Sequence, residues 1–156
     1  MNDRLMIGLG SNLSPRHDYL RRAVSELEKI GSPSAVSSLL ETEPWGVDTE
    51  KDFLNRVIVL RNCRYRSAKR LLMKLLRVEN KIGRDREANA PDRVIDIDIL
   101  YWGQKVCAGD PVLPHPRLHK RKFVLRSLVE VAPHFRHPVF RKTQRELLNS
   151  ISGKEV

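Results

Sequence analysis

Cysteine is scarce: Cys63 and Cys107 are the only two in 156 residues, and neither sits in a CxxC pair or a Cys/His cluster. A disulfide framework and a thiolate zinc centre therefore have no ligands to build on. Aromatic residues make up 6% of the chain, thin for a protein that stacks single-stranded bases on rings. No stretch approaches the roughly 20 apolar residues needed to cross a bilayer. The opening MNDRLMIGLGSN has one Arg and an apolar run too short for a secretory signal, so a cytoplasmic location is the expectation. Gly8-Leu9-Gly10-Ser11-Asn12 lacks both the third Gly of a dinucleotide fingerprint and the Lys of a Walker loop. Repeats, low-complexity tracts and linkers are also missing, so one domain spanning 1–156 is expected.

What is abundant is positive charge. Twenty-nine Lys and Arg face 19 Asp and Glu, a formal +10. Such a balance attracts polyanions: nucleic acid, an anionic membrane, or a small phosphorylated ligand. The cations gather in 61–93 and 117–145, and the second stretch holds a single acidic residue, Glu130. Charge alone does not separate RNA from a nucleoside triphosphate.

The apolar pattern gives the order of elements. Arg4 to Gly10 reads as a buried strand, and Ser14-Pro15 as a helix cap with Pro at the first helical position. Leu20, Val24, Leu27 and Ile30 then recur at three- and four-residue spacing. A second strand is expected over Ala35 to Leu40, a loop over Glu41 to Asp52, and a third strand over Phe53 to Arg61. A long helix from about Ser67 to Ile82 turns Leu71, Leu72, Leu75, Val78 and Ile82 inward, with Gly83 as its cap. Asp85 to Asp92 is a polar loop, and Val94 to Trp102 is the clearest strand. A helix over about Lys122 to Val131 follows, and Arg145 to Ile151 is weakly helical. This alternation predicts an α+β fold of ferredoxin-like type, a mixed or antiparallel sheet with helices on one face.

The chemistry concentrates in Arg93-Val94-Ile95-Asp96-Ile97-Asp98-Ile99. Strand side chains alternate between faces, so Ile95, Ile97 and Ile99 enter the core while Asp96 and Asp98 project together from the other side. Their α-carbons lie roughly 7 Å apart, close enough for the carboxylates to share one hard cation or to span two. Arg84, Arg86, Arg93 and Arg121 flank the pair with planar forks of donors suited to phosphate. His115 is held between Pro114 and Pro116, as a donor to a phosphate oxygen or a general acid. Asn12 and Asn55 are candidates to read the edge of a heterocycle, and Trp45, Phe53 and Phe123 to sandwich a flat ligand. A non-catalytic RNA-binding domain is the competing class; it leaves the two carboxylates without a role.

The motifs, in order, are Gly10-Ser11-Asn12, Thr42-Glu43-Pro44-Trp45-Gly46, Phe53-Leu54-Asn55, Glu79, Gly83-Arg84, Arg93-x-x-Asp96-Ile97-Asp98-Ile99 and Pro114-His115…Arg121-x-Phe123. Together they resemble the 6-hydroxymethyl-7,8-dihydropterin pyrophosphokinase family over almost the whole chain. The resemblance implies transfer of pyrophosphate from ATP to the pterin hydroxymethyl group in folate biosynthesis, by a monomer that acts on small molecules rather than nucleic acid or membrane. It implies two Mg²⁺ ions on Asp96 and Asp98, and catalytic roles for Arg84, Arg93, Asp96 and Asp98. By the same likeness Glu79, Arg84, Arg86, Arg93, His115 and Arg121 bind ATP, while Thr42, Trp45, Phe53, Asn55, Asp96 and Phe123 bind the pterin. The chain departs from the family's pattern at Glu43, Leu76, Ala90 and Pro91-Asp92.

Overall fold

The structure, a computed structural model, describes residues 3–151. Strand β1 (Leu5–Ser11) leads to helix α1 (Arg16–Leu27), strands β2 (Ser32–Val36), β3 (Leu40–Thr42) and β4 (Phe53–Arg61), and helix α2 (Ala68–Ile82). Strand β5 (Asp96–Trp102) and helices α3 (Lys122–Val131) and α4 (Gln144–Ser150) complete the fold. The sheet order is β2-β4-β1-β5, with β3 paired to β4 as well, and every pairing is antiparallel. A βαββαβ chain path with this order is the ferredoxin-like arrangement.

Alternation along the strands makes both faces apolar. Leu5, Ile7, Leu9, Ile58, Ile97 and Ile99 pack against Leu20, Leu27, Leu71 and Leu75 of α1 and α2. Met6, Val57, Val59 and Leu100 point the other way, against Leu125, Leu128 and Leu147. Helices therefore cover both faces, and the expectation of one covered face is corrected. The second apolar face needed its own cover, and α3 and α4 supply it. The tail is firmer than its composition suggests: Thr143 and Glu146 form a reciprocal capping box on α4, a spacing legible in the sequence.

Three boundaries differ from the reading of the pattern. Helix α1 begins at Arg16, with Pro15 as its extended N-cap and no side-chain cap; the Pro15 carbonyl accepts from Asp18 and Tyr19. The second strand splits in two, because the Ser37 hydroxyl accepts from the Val57 N–H at 2.8 Å and Ser38 N–H turns to Glu130. Strand β5 starts at Asp96, since the Ile95 carbonyl faces Arg84 at 3.3 Å. The cap at Gly83 is as expected, with φ of 123° that a side chain would strain.

Below the sheet, His137 is 4% exposed and stacks on Phe140 at 4.3 Å between ring centroids. Its Nδ1 accepts from the backbone N–H groups of Val139 and Phe140. Burial, with His119 adding to it, pushes this imidazole down to about 4. An unfolded histidine titrates near 6.5, so between those values the unfolded chain takes up a proton that the folded chain refuses. The contribution of His137 to stability is full above about pH 6.5 and is lost as pH drops toward 4. Urea denaturation over that window is expected to show wild type losing on the order of 2 kcal/mol more than His137→Asn; equal losses would contradict it.

Candidate active site

Gly8 and Gly10 open the site. On the α3 side of the sheet, β1 places Met6 under the helix, but its next two residues on that face have no side chain. Gly10 lies opposite Asn55 and Asp96, and Gly8 opposite Val57 and Asp98. A β-carbon at position 10 would meet Asn55 Oδ1 at 3.1 Å. The recess above these glycines is walled by Thr42, Trp45, Phe53, Asn55 and Phe123, with Val124 and Ser127 from α3. Asn55 Nδ2 donates to Thr42 Oγ1 at 2.7 Å, which leaves its carbonyl oxygen toward Gly10. The Arg121 guanidinium lies 4.9 Å from the Trp45 ring centroid, and that of Arg117 5.8 Å, a cation–π contact that folds the 43–52 loop over the recess. Gly10→Ala is expected to raise KM for the ligand of this recess about tenfold or more, with KM for the other substrate nearly unchanged; steady-state kinetics in each substrate checks it.

A second recess lies between α2 and the segment after Pro114. Its lining is basic: Arg84, Arg86, Arg93, Arg117 and Arg121, with His115, Glu79 and the two aspartates. Leu72, expected in the core, borders this recess together with Leu76. The two recesses share four residues, Arg93, Asp96, Asp98 and Arg121.

Charge at that shared wall is arranged in layers. Glu79 is 3% exposed; its Oε2 accepts from the Ile97 N–H at 2.7 Å and from Arg84 at 3.1 Å, and its Oε1 pairs with Arg86 at 3.2 Å. Burial pushes its carboxyl up, and Arg84 opposes that. Arg84 in turn holds Asp96 Oδ1 at 2.9 Å, and Arg93 holds Asp96 Oδ2 at 3.0 Å. Asp98 has looser neighbours, Arg121 at 3.8 Å and His115 at 4.0 Å. Its carboxyl is pushed up to about 7, by burial first and by the Asp96 charge second. His115 Nδ1 accepts from the Arg117 N–H at 3.1 Å, which leaves Nε2 as the donor facing Asp98. Burial and the Arg121 and Arg117 charges push His115 down to about 4, so in the free protein at neutral pH the imidazole is neutral and Nε2 is a hydrogen-bond donor. Arg121 Nε is buried with no hydrogen-bond partner among the described residues, a donor left for an anion.

The family model for 7,8-dihydro-6-hydroxymethylpterin-pyrophosphokinase matches residues 6–133. The chain belongs to this family. The 2-amino-4-hydroxy-6-hydroxymethyldihydropteridine pyrophosphokinase of Aquifex aeolicus is 34% identical, over 90% of this chain and 87% of its own length. The enzyme of that name from Porphyromonas gingivalis is 38% identical, over 85% of this chain and 92% of its own. Among solved structures, Plasmodium falciparum HPPK-DHPS with pteroate superposes with a TM-score of 0.75 at 15% identity, a likeness of fold. That match covers 94% of this chain but 42% of the Plasmodium chain, so this chain spans under half of that protein's length.

For a pyrophosphokinase, the residues expected from the sequence converge well. The six side chains assigned to the pterin line one recess, with Asp96 on the wall it shares, and the ATP set lines the other. Glu79 borders the second recess, yet both of its oxygens are engaged by protein groups. Arg86, whose neighbours in sequence are Asp85 and Glu87, pairs with Glu79 instead. Asn12 reads no ligand edge: its amide is spent on Asp92, Lys51 and Arg93. Sequence reasoning passed over Arg117, Ser127, Gly8 and the ligand-facing role of Gly10. Arg117 had a signal in its place directly after Pro116; the two glycines had one in their period-two spacing.

The donor set also suits the metal that the family implies. Mg²⁺ takes oxygen ligands, keeps several waters, and uses one or two carboxylates beside substrate phosphates. Among the described residues no group of three or more His, Cys, Asp or Glu side chains could hold an ion. An ion held by Asp96 and Asp98 would have to complete its shell from phosphate and water, as Mg²⁺ commonly does.

Proposed function

We propose that this cleft is where pyrophosphate passes from ATP to the hydroxymethyl group of 6-hydroxymethyl-7,8-dihydropterin, with AMP released. Family membership makes the chain an ATP-dependent pyrophosphokinase of folate biosynthesis. The observation that carries the placement is the wall shared by the two recesses: a group that moves between two substrates must cross where their sites touch. That wall holds two carboxylates and two arginines, the residue types that phosphoryl transfer requires.

The pterin occupies the recess of Thr42, Trp45, Phe53, Asn55 and Phe123, with its hydroxymethyl group beside Asp96. The triphosphate lies along Arg84, Arg86, Arg93, His115 and Arg121. The hydroxyl oxygen attacks the β-phosphorus in line and gives up its proton to water, and the bond from that phosphorus to the oxygen left on the α-phosphate breaks. Asp96 and Asp98 would hold two Mg²⁺ ions, which would supply positive charge to offset that on the transferred and leaving oxygens. Arg84 and Arg93 are fixed by Asp96 before substrate arrives, so they meet the developing charge without reorganising. Glu79 acts one step back, by orienting Arg84. Neutral His115 donates from Nε2 to a phosphate oxygen. Orientation of the two substrates supplies much of the remaining rate.

The chain works as a single catalytic domain and a monomer, with small molecules as its partners. AMP release from Mg-ATP in the presence of hydroxymethyldihydropterin is the direct test; folded protein that releases none would overturn the proposal. An RNA-binding module would instead bind RNA tightly with a steep salt dependence. The carboxylates at the centre of the basic surface oppose that reading.

A further inference from the structure

Three stretches of chain distant in sequence meet at Asp92. Its Oδ1 accepts from Asn12 Nδ2 at 3.0 Å and from the Thr49 hydroxyl at 2.5 Å. Its Oδ2 pairs with Lys51 Nζ at 3.3 Å. Asn12 is the fixed post: it directly follows strand β1, is 4% exposed, and exchanges two hydrogen bonds with the Arg93 backbone at 2.7 and 3.1 Å. The Asp92 side chain is 17% exposed and that of Lys51 58%, so the contacts to Asn12 and Thr49 are the better sheltered ones. Asp92 itself lines neither recess.

What Asp92 joins gives the cluster its meaning. Thr49 and Lys51 belong to the loop that carries Trp45 and Val47 into the apolar recess, and the Thr49 N–H is tied to the Val47 carbonyl at 3.1 Å. The residue after Asp92 is Arg93, on the shared wall. One carboxylate therefore connects the cover of one recess to a cation of the other. Hydrogen bonds to an ionised acceptor are roughly twice as strong as neutral ones, so displacement of either loop is felt by its neighbour.

We infer that Asp92 is a positioning residue that links the two substrate recesses, so that occupation of one sets the loop the other needs. The inference rests on the proposed assignment of pterin to one recess and ATP to the other. A carboxylate that merely stapled the loops would change stability and both affinities, and would leave their interdependence alone. Coupling has a separate signature: each ligand strengthens the other by the same factor, within a usual range of about 5- to 150-fold.

Calorimetric titration with a non-hydrolysable Mg-ATP analogue, with and without saturating 6-hydroxymethylpterin, measures that factor. In wild type the pterin is expected to strengthen analogue binding at least about fivefold. In Asp92→Ala the factor falls below about two. Thr49→Val, which removes one contact and keeps the carboxylate, lowers it in the same direction. The double variant loses no more than Asp92→Ala alone, because the two residues act through one contact. Coupling retained in Asp92→Ala or in Thr49→Val, or no coupling in wild type, overturns the inference. If folded wild type binds neither ligand, the functional reading fails as well; if both bind and the factor survives substitution, only the role of Asp92 is lost.

Discussion

Asp98→Ala is expected to lower kcat by about 10³-fold or more while the melting temperature holds or rises slightly. The two halves of this result have one cause. Burial and the Asp96 charge push the Asp98 carboxyl up to about 7, so the folded protein holds this group at a cost and gains nothing for stability from its ionised form. On the proposed mechanism, a group that opposes folding yet stands on the wall shared by both recesses is there for chemistry. Asp96→Ala should abolish turnover to a similar degree but soften the fold, because Asp96 accepts from both Arg84 and Arg93 and its removal leaves two cations facing each other. AMP release at saturating substrates, paired with thermal melts, separates the two. Turnover within tenfold of wild type in either variant would sink the assignment of the metal pair.

The second large effect distinguishes two arginines on the same carboxylate. Arg93→Ala is expected to cut kcat by roughly 10²- to 10³-fold and to change KM for ATP only a few-fold. The Arg93 side chain is 32% exposed where both recesses meet, and on the proposed mechanism its cation matters most as charge builds in the transition state. Arg84→Ala should also lose activity, but with a fall in stability of about 3 kcal/mol. The Arg84 side chain is 8% exposed and lies between Glu79 and Asp96. Its loss strands a buried carboxylate, with the largely exposed Arg86 as the remaining cation on Glu79. Equal losses in kcat and affinity for Arg93→Ala would mark it as a ground-state binder instead. Unchanged stability in Arg84→Ala would mean that Glu79 does not depend on it.

Some of this architecture was written locally. The β4 boundaries, the Gly83 cap and the shared face of Asp96 and Asp98 follow from patterns within a dozen residues, because period-two alternation and the tolerance of Gly for positive φ are local physics. The β-rich run at 94–102 was legible too, although its start was not, since Arg84 from another element takes the Ile95 carbonyl. The second covered face was harder to see. Met6, Val57 and Leu100 on alternating strands announce an apolar second face, but only the return of α3 and α4 across it says what it buries.

By itself the sequence determined the ferredoxin-like order of elements and the family, and it named the side chains we propose to meet the two substrates, since these rest on ordered motifs and short-range periodicity. The tertiary structure alone decided that Glu79 braces Arg84, that His115 is a neutral donor, and that Asn12 and Thr49 close on Asp92. Each of these depends on burial or on partners brought together from distant parts of the chain. Folding creates both conditions, and no local pattern encodes either.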